Sequence, residues 1–143
     1  MGVAETNKAI VRRFYEEIDK GNIDAMDELV AENYINHDPP PIPNLPPGRA
    51  GLKRAFEMLW NATPGHHVIE DQIADGDKVV TRLRGVGKHE KEIFGAPGSG
   101  NSLDVKAIAI HRIENGKLAE HWSAMDSAAL LAQLGAIKLP GPP

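Results

Sequence analysis

Near residue 65 the hydrophobic period of this chain changes from one suited to helices to one suited to strands. Before it, Ile10, Phe14 and Ile18, flanked by Val11 and Tyr15, recur at helical spacing and stop at Gly21. This predicts a helix over about residues 6–20. Met26, Leu29 and Val30 behind Asp24, a residue suited to a helix N-cap, predict a second short helix that ends near "NYINHD". Leu52, Phe56, Leu59 and Trp60 predict a third, closed by Thr63, Pro64 and Gly65. After the change, "HHVIEDQIAD" and "VVTRLRGVGKHE" alternate around the turn at Asp75–Lys78. "LDVKAIAIHRI" and "LAEHWSA" flank an Asn-Gly hairpin signal. A short apolar helix, "SAALLAQLG", follows Asp126. Helices segregated from an antiparallel meander predict an α+β domain, not a parallel α/β one. The expected order is three helices, four strands and a helix, with one further short strand near Tyr34.

Two segments fall outside this pattern. Residues 39–48 hold six prolines, which exclude helix and central strand because proline lacks the donor N–H and fixes φ. They are expected to form a stiff loop, either a flap that covers a binding pocket and sets access to it or a structural strap. Residues 136–143 are expected to be an irregular tail. With 143 residues and 41% hydrophobic content, the whole chain is expected to be one domain with a real core.

Composition removes several function classes. A formal charge of −4 gives no basic footprint for nucleic acid or anionic membrane. No apolar run approaches a membrane span and no leader pattern is visible, so a cytoplasmic location is the expectation. With no cysteine, disulfides, thiolate catalysis and cysteine-bound metals are unavailable. His66 and His67 point to opposite strand faces and no acid-rich triad completes a metal site with them. "GAPGSG" lacks the Lys-Ser/Thr ending of a phosphate loop, and Gly-x-Ser-x-Gly does not occur. Neither a metal nor an organic cofactor is expected.

The remaining chemistry is that of carboxylates and imidazoles. In "EHWSAMD", Glu120, Trp122 and Asp126 share one strand face. A glutamate on the Trp122 face needs a partner if buried, and Arg82 on the neighbouring strand segment is the expected one. His111 shares a face with Val105, Ala107 and Ala109, while Lys106, Ile108, Ile110 and Arg112 form the other. Periodicity leaves open which face is concave.

The opening "AIVRRFYEEIDKGNIDAMDELVAENYINHD", the segment "GDKVVTRLRGVGKHEKEIFGAPGSG" and above all "IHRIENGKLAEHWSAMDSAALLAQLG" resemble the SnoaL-like polyketide cyclases of the nuclear transport factor 2-like superfamily. The resemblance implies a cone-shaped α+β barrel, in which a curved antiparallel sheet packs on the N-terminal helices around a ligand pocket, and a homodimer. It implies Asp126 as the general acid/base of an intramolecular aldol closure on a small hydrophobic carbonyl compound, with His37 at the pocket mouth assisting on an oxygen. An acid in an apolar pocket has its pKa raised toward the working range. The position of Asp126 directly before "SAALLAQL" also fits a helix N-cap, which has the opposite effect on the carboxyl. Trp122, His111, Tyr34, Phe14, Trp60, Arg82 and His89 are the expected substrate-contacting residues. Many relatives carry an aromatic residue in place of His111, and "EKE" and "APGSG" replace the family's usual Thr-Gly and Pro-Pro-Thr-Gly pattern around His89 and Glu92. A non-catalytic binding domain, or a dehydratase or hydrolase in the same pocket, is the alternative.

Overall fold

The computed structural model describes residues 2–141; Pro142 and Pro143, at the end of the expected irregular tail, lie outside the described residues. Helix α1 spans Val3–Asp19 and buries Val11, Phe14, Tyr15 and Ile18, the stripe that its spacing predicts. A single 3₁₀ turn at Ile23–Ala25 leads into α2, Met26–Leu29. Asp24 lies within that turn and caps nothing; its exposed carboxylate reaches Lys53 instead.

The second helix is thus only one turn long, and Val30–Asn36 forms β1. The remaining elements are α3 (Gly48–Ala62), β2 (Gly65–Asp75), β3 (Lys78–Lys88), β4 (Ser102–Glu114), β5 (Lys117–Met125) and α4 (Ser127–Gln133). The five strands lie in one sheet in the order β1-β5-β4-β3-β2. The meander is antiparallel as expected, and β1 joins the β5 edge in parallel, so the sheet is mixed and unclosed; packed on the N-terminal helices, it makes the expected α+β fold.

One face of the sheet packs on α1 and α3. Val79, Leu83, Ala109, Ile113 and Leu118 meet Val11, Phe14, Ile18 and Leu52 there. A second cluster of Ala62, Ile93, Leu103 and Leu134 ties α4 and the loop after β3 to the end of α3. The sheet curves strongly around Tyr15. His67 and His111 are far apart along the strands, yet their ring centroids lie 4.8 and 6.1 Å from that of Tyr15.

The proline-rich segment is seated on α3 and β1 by two glycines. A Cβ at Gly51 would collide with the carbonyl oxygen of Pro46. One at Gly48, which has φ +73°, would collide with that of Glu32.

Candidate functional site

Alternation along β4 and β5 settles which side chains face the helices. Val105, Ala109, His111 and Ile113 are buried and Lys106, Ile108 and Arg112 are not, so His111 faces inward. Its β5 partner in the register is His121, whose imidazole lies 4.8 Å from that of His111. Asn36 on β1 pairs with His121 in turn. The inner face thus carries Asn36, His121 and His111 in one row across three strands, under Phe14, Tyr15 and Tyr34.

The hydrogen bonds fix the protonation of this row. Asn36 Oδ1 accepts the backbone N–H of Asp38 at 3.0 Å, and His121 Nδ1 lies 2.9 Å from the same oxygen. A backbone N–H can only donate, so Asn36 presents its oxygen there and His121 Nδ1 must carry a hydrogen. Burial, opposed in part by Asp38, lowers the His121 pKa to about 4. At neutral pH the ring is therefore uncharged, with its lone pair on Nε2, and the Asn36 NH₂ is left to meet another group. His111 is 1% exposed, and burial and the neighbouring His121 hold its pKa well below the usual histidine value. Among the described residues only His111 Nδ1 and Gln72 Oε1 are sealed side-chain polar atoms without a hydrogen-bond partner.

A cavity of about 320 Å³ adjoins this row. Its wall includes Tyr34, Asn36 and Leu52, with Pro39, Pro40 and Pro46 of the proline-rich segment. None of its lining side chains is charged. His121 stands behind Asn36 and beside Tyr34, whose phenol is kept protonated by burial.

Several expected site residues lie elsewhere. Asp126 is exposed, and its Oδ1 accepts the Ala129 N–H at 3.0 Å as the N-cap of α4, so it lacks the desolvation that a pocket acid needs. His37, the residue after Asn36, turns to the outer face. It stacks on Trp122 with ring centroids 4.7 Å apart and planes at 6°, and its Nε2 lies 2.8 Å from Glu120 Oε2. Trp122 and Glu120 share that outer face because they pair with Ile110 and Arg112. Arg112, not Arg82, is the glutamate's arginine, at 2.8 Å. Hydrogen bonds from His37 and Arg112 hold the Glu120 carboxyl below its usual range. Arg82 is exposed and binds Glu70. His89 is sealed in the loop after β3, where Ser99 Oγ meets Nδ1 at 2.9 Å and Nε2 donates to the Ala96 carbonyl at 3.2 Å. Phe14 is core, edge-on to Phe56 and His111. Trp60 packs beside Gly21, away from the cavity wall.

Of the expected residues, Tyr34 lines the cavity, and His111 lies sealed on the same inner face, linked to it through His121. The structure adds Asn36 and His121, which sequence reasoning passed over. Local sequence carried no signal for them: His121 falls on the same strand parity as Leu118 only through a bulge beside Ala119, which simple alternation does not show.

The model of the SnoaL-like polyketide cyclases matches residues 9–134. The chain belongs to that family. Its fold is similar to that of TsrD from Streptomyces laurentii (28% identity, TM-score 0.83, covering 93% of this chain and 97% of that one). A protein described as a candidate polyketide cyclase from Bacillus cereus ATCC 10987 gives 31% identity and a TM-score of 0.78 over 93% of this chain and 83% of that one. IdmH from Streptomyces antibioticus, described likewise, gives 26% and 0.76 over 90% and 98%. No curated protein matches. Among the described residues no helix is long and apolar enough to cross a membrane.

Proposed function

We propose that this family member is a cofactor-independent cyclase or isomerase-type enzyme in which His121, rather than Asp126, is the acid/base. The observation that supports this reading is the Asn36 oxygen, which takes two hydrogens and so leaves His121 with a free lone pair on Nε2. His121 takes a proton from the carbon next to a substrate carbonyl. The Asn36 NH₂ and the Tyr34 hydroxyl meet the oxygen on which charge collects. The enolate carbon then bonds to a second carbonyl carbon, whose oxygen takes up the proton. The uncharged proline-lined wall suits a small hydrophobic carbonyl compound.

Turnover of a panel of aromatic β-diketones by the wild type, His121→Gln and Asp126→Asn tests the assignment. The expected result is a loss of about 10²- to 10⁴-fold for His121→Gln with binding retained, and a near-normal rate for Asp126→Asn. The reverse pattern would return the role to Asp126. Binding by the wild type without turnover of any diketone would favour a non-catalytic binding domain.

A homodimer belongs to the same proposal. Ile73, Val80, Ile110 and Trp122 form an apolar row across four strands of the outer face, with Ile73 62% exposed. Around the row, Arg82 and Arg84 pair with Glu70, and Arg112 pairs with Glu120. These pairings let two acidic chains approach there without strong repulsion. Ile73→Arg is expected to shift sedimentation to the monomer; an unchanged profile would place any self-association elsewhere.

A further inference from the structure

The histidine pair at the start of β2 separates as strand alternation requires, with His66 exposed and His67 turned inward against the end of α1. Asp19, the last residue of α1, grips His67 with both carboxylate oxygens. Oδ1 lies 2.7 Å from His67 Nδ1, and Oδ2 accepts the backbone N–H of the same residue at 2.9 Å. An ionised carboxylate only accepts, so Nδ1 carries a hydrogen and the lone pair of the neutral ring is on Nε2. No hydrogen bond engages Nε2 among the described residues.

The surroundings suit a flat apolar molecule. The Asp19 and His67 side chains are 19% and 24% exposed, so the pair is partly accessible yet largely shielded from water. The Tyr15 ring lies 4.8 Å from the imidazole and that of Phe56 lies 6.4 Å away. Tyr15 and His111 stand between this niche and His121, so the two imidazoles do not share a wall. The backbone hydrogen bond to Oδ2 ties β2 to α1. The other oxygen fixes the ring, the arrangement by which a carboxylate orients an imidazole for proton transfer.

We propose that His67, oriented by Asp19, is a second general base, separate from the Asn36–His121 row and acting on an uncharged aromatic carbon acid bound against Tyr15 and Phe56. A proton arriving on Nε2 makes a cation that Asp19 already faces, so the transfer is compensated where it occurs.

The Kemp elimination of 5-nitrobenzisoxazole tests this with a flat, neutral probe and no co-reactant. The base removes the ring C3–H, its electrons form the nitrile, the N–O bond breaks, and the released phenolate is read by absorbance. His67→Gln is the deciding variant, because it keeps the backbone bond to Asp19 and hence the anchoring of β2. We expect it to lower kcat by at least about tenfold, with His66→Gln unchanged. Asp19→Asn, which lets the ring turn over or adopt the other tautomer, should lower kcat with little change in KM, and Asp19→Glu should restore part of it. An unchanged rate in His67→Gln overturns the proposal. If His121→Gln then abolishes that rate, the base lies in the cavity, and the cyclase reading stands without this second site.

Discussion

On the inner face of the sheet, His111 and His121 lie among Phe14, Tyr15 and Tyr34, and burial lowers the pKa of both. On the outer face, one residue along β5, Trp122 stacks on the His37 ring and has the Lys78 ammonium 5.6 Å from its centroid, and Glu120 is held by His37 and Arg112. Both faces combine imidazoles with aromatic rings. At His111 and His121 the inner face offers no hydrogen-bonded carboxylate and keeps both rings neutral, whereas the outer one pairs its charges in contact with water. Residue type therefore says little about role until strand parity has assigned the face.

Acid titration gives the largest contrast. The folded-state pKa of His121, about 4, lies below its unfolded value of 6.5, so the unfolded chain binds more protons between these values. The stability is full above pH 6.5 and is lost as the pH falls toward 4. Urea unfolding at pH 7 and pH 5 should differ by about 2 kcal/mol on this account alone, and His111 adds in the same direction. Glu120 has a depressed carboxyl, so its contribution is present above the ordinary value of 4.5 and is lost only as the pH falls below it. Two successive windows are expected, the inner face first. Equal stability at pH 7 and pH 5 would break the comparison by showing the inner imidazoles to be solvated.

The second effect concerns the sealed nitrogen. His111→Phe keeps a ring against Phe14 and Tyr15 and removes the unpartnered Nδ1, whose desolvation costs about 1 to 2 kcal/mol. The variant should unfold at higher urea by that amount and show a shallower acid window. A loss of stability would mean that the nitrogen has a partner after all.

Asp126 is smaller again and separates two readings of one carboxylate. As a cap, Asp126→Ala should cost about 1 kcal/mol, while Asp126→Asn should cost almost nothing because both residues cap well. Urea denaturation of the two variants checks this. An equal loss from both would point to a need for the negative charge itself.

How far the sequence could be read follows from the same parity argument. The helices, hairpins and stiff proline segment declare themselves through local period and through residues that forbid alternatives. The bulge beside Ala119 and the parallel entry of β1 do not, because both are tertiary choices. The bulge puts Leu118 and His121 on one face although they are three residues apart. The entry of β1 brings Asn36 to His121 across 85 residues. Local sequence therefore points to His37 rather than its neighbour Asn36, and to Arg82 rather than Arg112 as the partner of Glu120. Asp126 had two readings in the sequence, and the cap is the one that needs only its immediate neighbours.

Glu120→Gln should have the smallest effect, though it removes the anion from a cluster with two hydrogen-bonded cationic or ionisable partners. In the Ile73→Arg monomer, where the variant is compared, the outer face is wet, so the lost Coulomb attraction is largely replaced by hydration of Arg112 and His37. The amide oxygen can still accept from one of them. The melting temperature should move little at low salt and not at all at high salt, where an exposed pair is already screened. On the inner face the same logic fails, because no solvent stands ready to replace a lost partner. In the dimer proposed above, with a second copy laid over Trp122, Glu120→Gln should cost more and the loss should persist at high salt; an equally small loss in dimer and monomer would place any self-association elsewhere.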